Sequence, residues 1–278
     1  MKGETKTMKY KISTKMKRFE GQNVFQIVAL TNFGNVKKGE KGGWIAKESN
    51  LSQEGDCWVY PNGIVAQDAV VRDDAIVYNG FISESAIVDK DAVIGWRYAS
   101  ERDMPRVAGN AHITDFGKVR NHAYVSGFAV VRDAANISDY AIVRDHASIE
   151  DDASVFHNAI VFGNAIIEDR AFACNHAMVG GDAILSEHCC VASNTVVMTG
   201  EHVCVENKKY VLDKKDTIEV EGHTLYRIIA LNDGAYYHNG EKGGYIEKED
   251  NLSHNGHCWV SEGNVAFGDT VIEYDMVL

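Results

Sequence analysis

The sequence predicts an all-β protein whose centre is a parallel β-helix of about eight coils, with a duplicated β-hairpin module at each end. Three observations predict this architecture. A six-residue period runs through the middle of the chain, a turn-forming residue recurs once per period, and a stretch near the N-terminus recurs 201 residues later. Such internal repeats indicate that stacked supersecondary units form the core.

The first element is a hairpin module, expected over residues 1–56. Alternating polar and apolar residues surround Glu20 and Gly21, a pattern typical of two strands joined by a tight turn. Residues 21–71 match residues 222–272 without a gap, with 21 identities in 51 positions. Because the terminal coil of a β-helix exposes an open backbone edge, the module can act as a cap over that edge.

The second element is the hexad region, expected over residues 57–207. From residue 111 to residue 195, 12 of 15 successive sixth residues are alanine, and the residue two positions later is Val, Ile or Leu in 14 of 15 cases. The same phase extends back to Cys57 with a one-residue slip near Gly80. This period fits short strands with alternate residues inside, and it fits neither a helix nor a hairpin meander.

The corners of the coil follow from the fifth position of each hexad. This position is Gly, Asp or Asn in 12 of 16 cases, and these residues tolerate left-handed backbone best. Three strands then close one coil of 18 residues. The stacked strands satisfy one another's backbone groups and bury the aliphatic position in a continuous column.

The register is interrupted between Ala92 and Pro105, so residues 98–104 are expected to leave the coil as a loop. The second copy of the hairpin module is expected over residues 208–257. A short coil over residues 258–278 follows it.

One outward column of the hexads is apolar. Residues 18 apart lie above one another on the same face, and an exposed apolar stripe several coils long predicts a contact surface. We therefore expect a homo-oligomer, a dimer or trimer, or coverage by a terminal segment of the chain. The column and its neighbours are Tyr124, Ile142, Ile160, Phe162, Met178, Val196 and Met198.

Composition and charge exclude several classes. The net charge is −12, with a balance of +7 for residues 1–50 and −8 for residues 201–278, which leaves −11 for the residues between. A duplex nucleic-acid partner is not expected, because the long middle has no basic stripe. The mean hydropathy of −0.24 and the absence of a long apolar run predict no membrane partner. Without a secretory signal, the expected location is the cytoplasm.

Two motifs carry a family resemblance. The run Gly42 to Ile45, the run Asn50 to Val59 and the hexads after them resemble hexapeptide-repeat left-handed β-helix proteins, closest to YdcK-type transferases and their phage and prophage relatives. The resemblance implies a left-handed coil and makes a phage or prophage accessory protein, located in the cytoplasm of a bacterial host cell, an expectation. It transfers no established catalytic residue.

The resemblance also implies one chemistry, acyl transfer from a coenzyme A (CoA) thioester. Acyltransferases of this fold commonly use a histidine as general base beside a loop expelled from the coil. If the chain is such an enzyme, the candidate base is His112, oriented by Glu101 or Asp103. Otherwise no catalytic residue and no cofactor is expected. A metal site is not expected either, because the histidine columns do not bring three ligands within reach.

The duplicated Gly-Glu-Lys-Gly-Gly-aromatic block is the alternative site. Successive glycine amides beside a lysine can form an anion-binding nest, and the aromatic residues can stack on a base. The expected ligand is a small anionic molecule resembling a nucleotide. The candidate residues are Lys41, Gly42, Gly43, Trp44 and Trp58 in the first copy, and Lys242, Gly243, Gly244, Tyr245 and Trp259 in the second.

Three functions therefore stay open at the level of sequence. The favoured hypothesis is a non-enzymatic protein that sequesters a nucleotide-like ligand on an oligomeric scaffold. The alternatives are a CoA-dependent acyltransferase and a structural or adaptor rod.

Overall fold

A computed structural model describes residues 7–100, 102–203, 209–231, 233–253, 258–273 and 277–278. The chain divides into two compact units, residues 1–204 and 205–278. The boundaries after residues 56, 207 and 257 stay predictions from the sequence. Within the described residues, no helix is both long and apolar enough to cross a membrane.

The first unit begins with an antiparallel sheet and then enters the coils. Its elements before the expelled loop are β1 (Tyr10–Phe19), β2 (Gln22–Ala29), β3 (Lys41–Ile45), a 3₁₀ turn (Glu48–Asn50), β4 (Trp58–Val65), β5 (Val70–Val71), β6 (Ile76–Ile82), β7 (Ile87–Val88) and β8 (Val93–Ile94).

Short strands then repeat every six residues. They are β9 (Arg106–Val107), β10 (His112–Ile113), β11 (Lys118–Val119), β12 (Tyr124–Val125), β13 (Val130–Val131), β14 (Asn136–Ile137), β15 (Ile142–Val143), β16 (Ser148–Ile149), β17 (Ser154–Val155), β18 (Ile160–Val161), β19 (Ile166–Ile167), β20 (Phe172–Ala173), β21 (Met178–Val179), β22 (Ile184–Ser186), β23 (Cys190–Val191), β24 (Val196–Val197) and β25 (Glu201–Val203).

These strands form the three faces of a left-handed parallel β-helix, so the predicted fold class is confirmed. Face A is an eight-stranded sheet, in agreement with about eight coils, and contains β5, β7, β10, β13, β16, β19, β22 and β25. Face B contains the first halves of β4 and β6 followed by β8, β11, β14, β17, β20 and β23. Face C contains β3, the second halves of β4 and β6, and then β9, β12, β15, β18, β21 and β24.

The alternation of each strand creates the core. In β19, Ile167 is fully buried inside the coil, whereas Ile166 beside it points outward and is half-buried. The alanine position is equally buried, as at Ala165 and Ala171. Each coil bonds to the next through its backbone, for example from the Tyr124 amide to the Ala141 carbonyl at 2.9 Å. A small residue at one inner position and a branched residue at the next thus fill a narrow prism.

The corners adopt the left-handed backbone that their sequence predicts. Asp133, Asp151 and Asp169 have φ angles of 54°, 53° and 57°. Their side chains also explain why Asp is frequent there, because Asp151 accepts a hydrogen bond from the Asp169 amide at 3.1 Å. Asp169 in turn accepts one from the Glu187 amide at 2.8 Å, so the corner aspartates form a ladder between coils.

The hairpin module continues face C. Strand β3 pairs antiparallel with β2 and parallel with β4, where Trp44 lies beside Ile64. The β1–β2 hairpin folds over the outer side of this face, and Val24 packs with Trp44, Ile64 and Phe81 in a separate apolar cluster. The module therefore covers the first outward positions of face C.

The second unit repeats the module. Its strands are β26 (Tyr210–Val220), β27 (His223–Ala230), β28 (Lys242–Ile246) and β29 (Val265–Ala266), with a 3₁₀ turn at Glu249–Asn251.

Matching contacts confirm the duplication of this module. Tyr10 donates to the Leu51 carbonyl at 2.7 Å, and Tyr210 donates to the Leu252 carbonyl at 2.8 Å. Asn251, like Asn50 in the first unit, is buried and donates to carbonyls of the following coil.

Candidate functional site

The duplicated glycines lie inside strands, which corrects the predicted anion nest. A Cβ atom on Gly42 would lie 2.5 Å from the Trp58 ring, and one on Gly43 would lie 2.4 Å from the Tyr60 carbonyl oxygen. Glycine is required at these positions because the strand packs directly on its neighbours. Trp58 is only 1% exposed, so its ring is a core side chain that no base can reach.

The second copy shows the same packing. Gly243 and Gly244 are crowded by the carbonyls of Val260 and Asn264, and the Gly244 amide donates to Val260 at 2.7 Å. Trp259 is 1% exposed.

The cation and aromatic ring of the second copy are also engaged within their own unit. The Tyr245 hydroxyl donates to Asp216 at 2.7 Å, and Lys242 lies 3.5 Å from the same carboxylate. In the first copy Lys41 is exposed, and Trp44 lines a cavity beside the β1–β2 hairpin. Trp44 therefore keeps a candidate role in ligand binding, although the predicted nest around it does not form.

His112 has a carboxylate partner, but it is Asp89 and not Asp103. The His112 Nε2 atom lies 2.9 Å from Asp89, which is 3% exposed and also accepts two hydrogen bonds from Arg72 at 2.7 and 3.1 Å. The coil brings Asp89 beneath His112 because β7 and β10 are neighbours on face A. The other predicted partner, Glu101, lies outside the described residues.

The Asp89 cluster makes a testable contribution to stability. Burial by itself raises the pKa of Asp89, but hydrogen bonds from neighbouring side chains, Arg72 and His112 among them, hold this pKa below its ordinary value. A carboxylate with a lowered pKa stabilises the fold above its unfolded pKa, and this contribution is lost as the pH falls through the folded pKa.

We therefore expect Asp89→Asn to cost about 1–3 kcal/mol near neutral pH. The difference from wild type should shrink as the pH falls below the ordinary aspartate pKa of about 4, and it should disappear below the lowered pKa of the folded state, where the wild-type carboxylate becomes protonated. Urea unfolding across this pH range measures it, with the exposed Asp152→Asn as control. A difference that stays constant down to low pH would contradict the assignment.

The interruption predicted from the sequence is an expelled loop between faces B and C. Phe81 pairs with Arg106, 25 residues later instead of 18, so seven residues leave the coil. Asn79 holds both ends of this loop and is 3% exposed. Its side-chain oxygen accepts from the Trp96 amide at 2.8 Å, and its amide nitrogen donates to the Asp103 carbonyl.

The loop places Asp103 beside a histidine of the coil. The Nε2 atom of His122 lies 3.5 Å from Asp103 Oδ1, and the two side chains are 33% and 31% exposed. The His122 ring stacks on Tyr140 with a centroid distance of 4.7 Å. Asp103 also accepts hydrogen bonds from Ser100, which fixes the carboxylate. This arrangement supplies an oriented imidazole that solvent and substrates can reach.

A cavity of about 440 Å³ lies on one side of the loop, between it and the hairpin module. Lys17 Nζ lies 4.5 Å from the Trp44 ring centroid inside this cavity. Burial lowers the pKa of Lys17, and the neighbouring charge of Lys15 lowers it further. Asp103 and Met104 complete the loop side of the wall. We call this space the Lys17 cavity.

A second cavity of about 310 Å³, here called the Arg120 cavity, is lined by Trp96, Arg120, Asn121, Asn136 and Ser138. Arg120 lies 4.9 Å from the Trp96 ring centroid, and burial lowers the pKa of its guanidinium. Its Nε atom and the Asn136 Oδ1 atom are buried and have no hydrogen-bond partner among the residues that the structure describes. Buried polar atoms without partners indicate a place for a polar ligand or water.

The two cavities and the His122–Asp103 pair together form the candidate site. Asp103 lines the Lys17 cavity, and Asn121, next to His122 in the chain, lines the Arg120 cavity. The side chains that line the two cavities include neither histidine; His122 joins the site through its contact with Asp103, whereas His112 contacts Asp89. The six-residue period predicts that His122 points outward. Its contact with Asp103 could not be predicted from the period, because that contact depends on the path of the expelled loop.

The predicted apolar column is present on the outer side of face C. Tyr124, Ile142, Ile160, Met178 and Val196 are successive partners in the strand register. Val196 is 56% exposed and Met198 beside it 42%, while Phe162 is half-buried under Arg144. The described residues of the hairpin module cover this face near Trp44, Ile64 and Phe81, and Glu20 also pairs with Arg106 of β9 at 2.8 Å.

Comparison with known proteins gives a local similarity. The chain is 39% identical over 66 residues to a curated protein of Escherichia coli (strain K12) named "Uncharacterized acetyltransferase YdcK". The match covers 21% of this chain and one fifth of that relative's length. No protein-family model matches the chain. This similarity and the β-helix together fit a hexapeptide-repeat β-helix family.

Proposed function

We propose that the chain is an acyltransferase that binds a CoA thioester at the expelled loop and transfers its acyl group to an amine or hydroxyl acceptor. The observation that carries this proposal is the His122–Asp103 pair beside two cavities that each contain a cation over an aromatic ring. The acetyltransferase named in the comparison supports the same class of reaction.

The cavities suit the nucleotide end of such a donor. A CoA thioester has phosphate groups and an adenine ring, which bind to cations and stack on aromatic side chains. Lys17 with Trp44 and Arg120 with Trp96 offer both kinds of contact. In addition, Arg120 Nε is a buried donor without a partner, which a phosphate oxygen can satisfy.

In the proposed reaction, His122 acts as the general base. Its imidazole takes a proton from the acceptor as the nitrogen or oxygen attacks the thioester carbonyl. Asp103 stabilises the imidazolium that forms, since its carboxylate lies 3.5 Å from Nε2. The tetrahedral intermediate then collapses, the C–S bond breaks, and the thiolate leaves with a proton.

The test is a binding titration followed by a turnover assay. We expect acetyl-CoA to bind by calorimetry, and both Lys17→Gln and Arg120→Gln to weaken binding at least about 10-fold, as loss of a charged contact does. Lys41→Gln is the matched control, because Lys41 is exposed and lines neither cavity. Release of free CoA thiol with a panel of amines and alcohols then measures transfer.

Sequestration of a nucleotide without turnover is the second candidate function. It is favoured by the same cation and aromatic pairs, which suit a nucleotide whether or not chemistry follows. Tight binding of acetyl-CoA or adenosine bisphosphate, with no release of thiol from acetyl-CoA in the presence of any acceptor, would favour it. Failure of both ligands to bind would overturn both functions and leave the adaptor hypothesis.

The proposed assembly is a homo-oligomer that buries the apolar column of face C. We expect wild-type protein to be a dimer or trimer by light scattering, and Ile160→Glu with Met178→Glu to shift it to monomers, because each buried carboxylate costs several kcal/mol. Ser148→Glu with Ser154→Glu, on the other two faces, is the matched control. A monomeric wild type at micromolar concentration would contradict this assembly.

A further inference from the structure

Each hairpin module contains a buried lysine in contact with a cysteine. The Lys9 Nζ atom lies 3.2 Å from Cys57 Sγ, and the Lys209 Nζ atom lies 3.0 Å from Cys258 Sγ. The lysines are 5% and 2% exposed, and both cysteines are fully buried. The proposed acyl transfer uses neither pair.

The surroundings hold the nitrogen and sulfur together. Lys9 Nζ also donates to the carbonyls of Glu54, Gly55 and Cys57 at 3.0–3.1 Å. Lys209 Nζ donates to the Cys258 carbonyl at 2.6 Å. Because these bonds fix the end of each lysine, the contact with sulfur is a built feature of the module.

This geometry combines an amine and a thiol that are both nucleophilic once deprotonated. Burial raises the pKa of Cys57 above its ordinary value, and the charge of Lys9 and its hydrogen bond offset part of this rise. Oxidation of a thiol by two electrons ordinarily gives a sulfenic acid. The lysine nitrogen lies within hydrogen-bond distance of the sulfur, so the sulfenic oxygen would lie beside that nitrogen, and a second two-electron oxidation can join the oxygen to it.

We propose that oxidation joins each pair through a nitrogen–oxygen–sulfur bridge. The thiol and the ammonium group react with one molecule of dioxygen to give the S–O–NH bridge, one water and one proton. Sulfur and nitrogen each lose two electrons, and dioxygen accepts all four. The S–H bond and two N–H bonds break, while one S–O and one O–N bond form. Two molecules of hydrogen peroxide supply the same four electrons.

The bridge has a structural consequence. It ties the residue before β1 to the residue before β4, across 48 positions in the sequence, and ties Lys209 to Cys258 across 49. A covalent link over this distance restricts the unfolded chain and fixes the first strand of the module to its coil. The oxidised protein should therefore melt at a higher temperature than the reduced protein.

Intact mass spectrometry of the full chain tests the proposal. Reduced protein treated with hydrogen peroxide should gain about 14 Da per bridge, since one oxygen is added and two hydrogens are lost, and about 28 Da for both. Dithiothreitol should restore the starting mass. Trypsin should fail to cleave after Lys9 and Lys209, and tandem spectra should contain each lysine peptide joined to its cysteine peptide.

Variants assign the bridges. Cys57→Ser and Cys258→Ser should each remove one increment of about 14 Da, whereas the control Cys190→Ser should remove none. The wild-type spectra decide the question even if a variant does not fold. Three results would overturn the proposal. They are an unchanged mass, mass increases in steps of about 16 Da without a crosslinked peptide, and a loss of two hydrogens at these cysteines without a gain of oxygen.

Discussion

His122→Asn is expected to lower kcat for acyl transfer by about 10²- to 10⁴-fold, the usual contribution of a general base. The asparagine side chain keeps a polar group near Asp103 but has no basic nitrogen. Release of thiol from acetyl-CoA with the best acceptor measures kcat, and calorimetry shows whether donor binding is retained.

The matched control is His112→Asn. This histidine also contacts a carboxylate, but it lies on face A and its partner is Asp89, not Asp103 of the expelled loop. Its replacement should leave kcat near the wild-type value. If His112→Asn abolished transfer and His122→Asn did not, the reaction would belong to the Asp89 cluster and the assignment of the loop site would be wrong.

Ile167→Ala is expected to destabilise the β-helix by about 2–5 kcal/mol, because it removes a fully buried side chain from a close-packed core and leaves a cavity. Ile166→Ala, the same substitution at the adjacent residue, should cost less than about 1 kcal/mol, since that side chain points outward and is half-buried. Urea unfolding followed by circular dichroism measures both. Equal losses would contradict the inside–outside alternation on which the coil depends.

The β-helix could be predicted from the sequence because its physical constraints repeat locally. A narrow prism demands Ala and Val two residues apart at every turn, and its corners demand residues such as Asp151 that accept left-handed backbone. The seven-residue loop was also predictable, because residues that do not fit the six-residue period can be counted in the sequence.

The site was less predictable because its contacts join residues whose separation in the sequence is not a multiple of the six-residue period. Asp89 meets His112 at a spacing of 23 residues, which depends on the seven-residue loop between them. Lys17 reaches the loop only because the hairpin curls over the outer side of face C. The burial of Trp58 likewise depends on the missing side chain of Gly42. No local pattern encodes these approaches.

Hydrogen–deuterium exchange with and without acetyl-CoA tests most directly whether the expelled loop and its two cavities form the donor site. We predict slower exchange in the loop and in the strand ends that line the two cavities, around residues 15–19, 96–105 and 118–122, with the other faces unchanged. Protection confined to residues 39–45 and 240–246, or no protection at saturating acetyl-CoA, would contradict this account of the site.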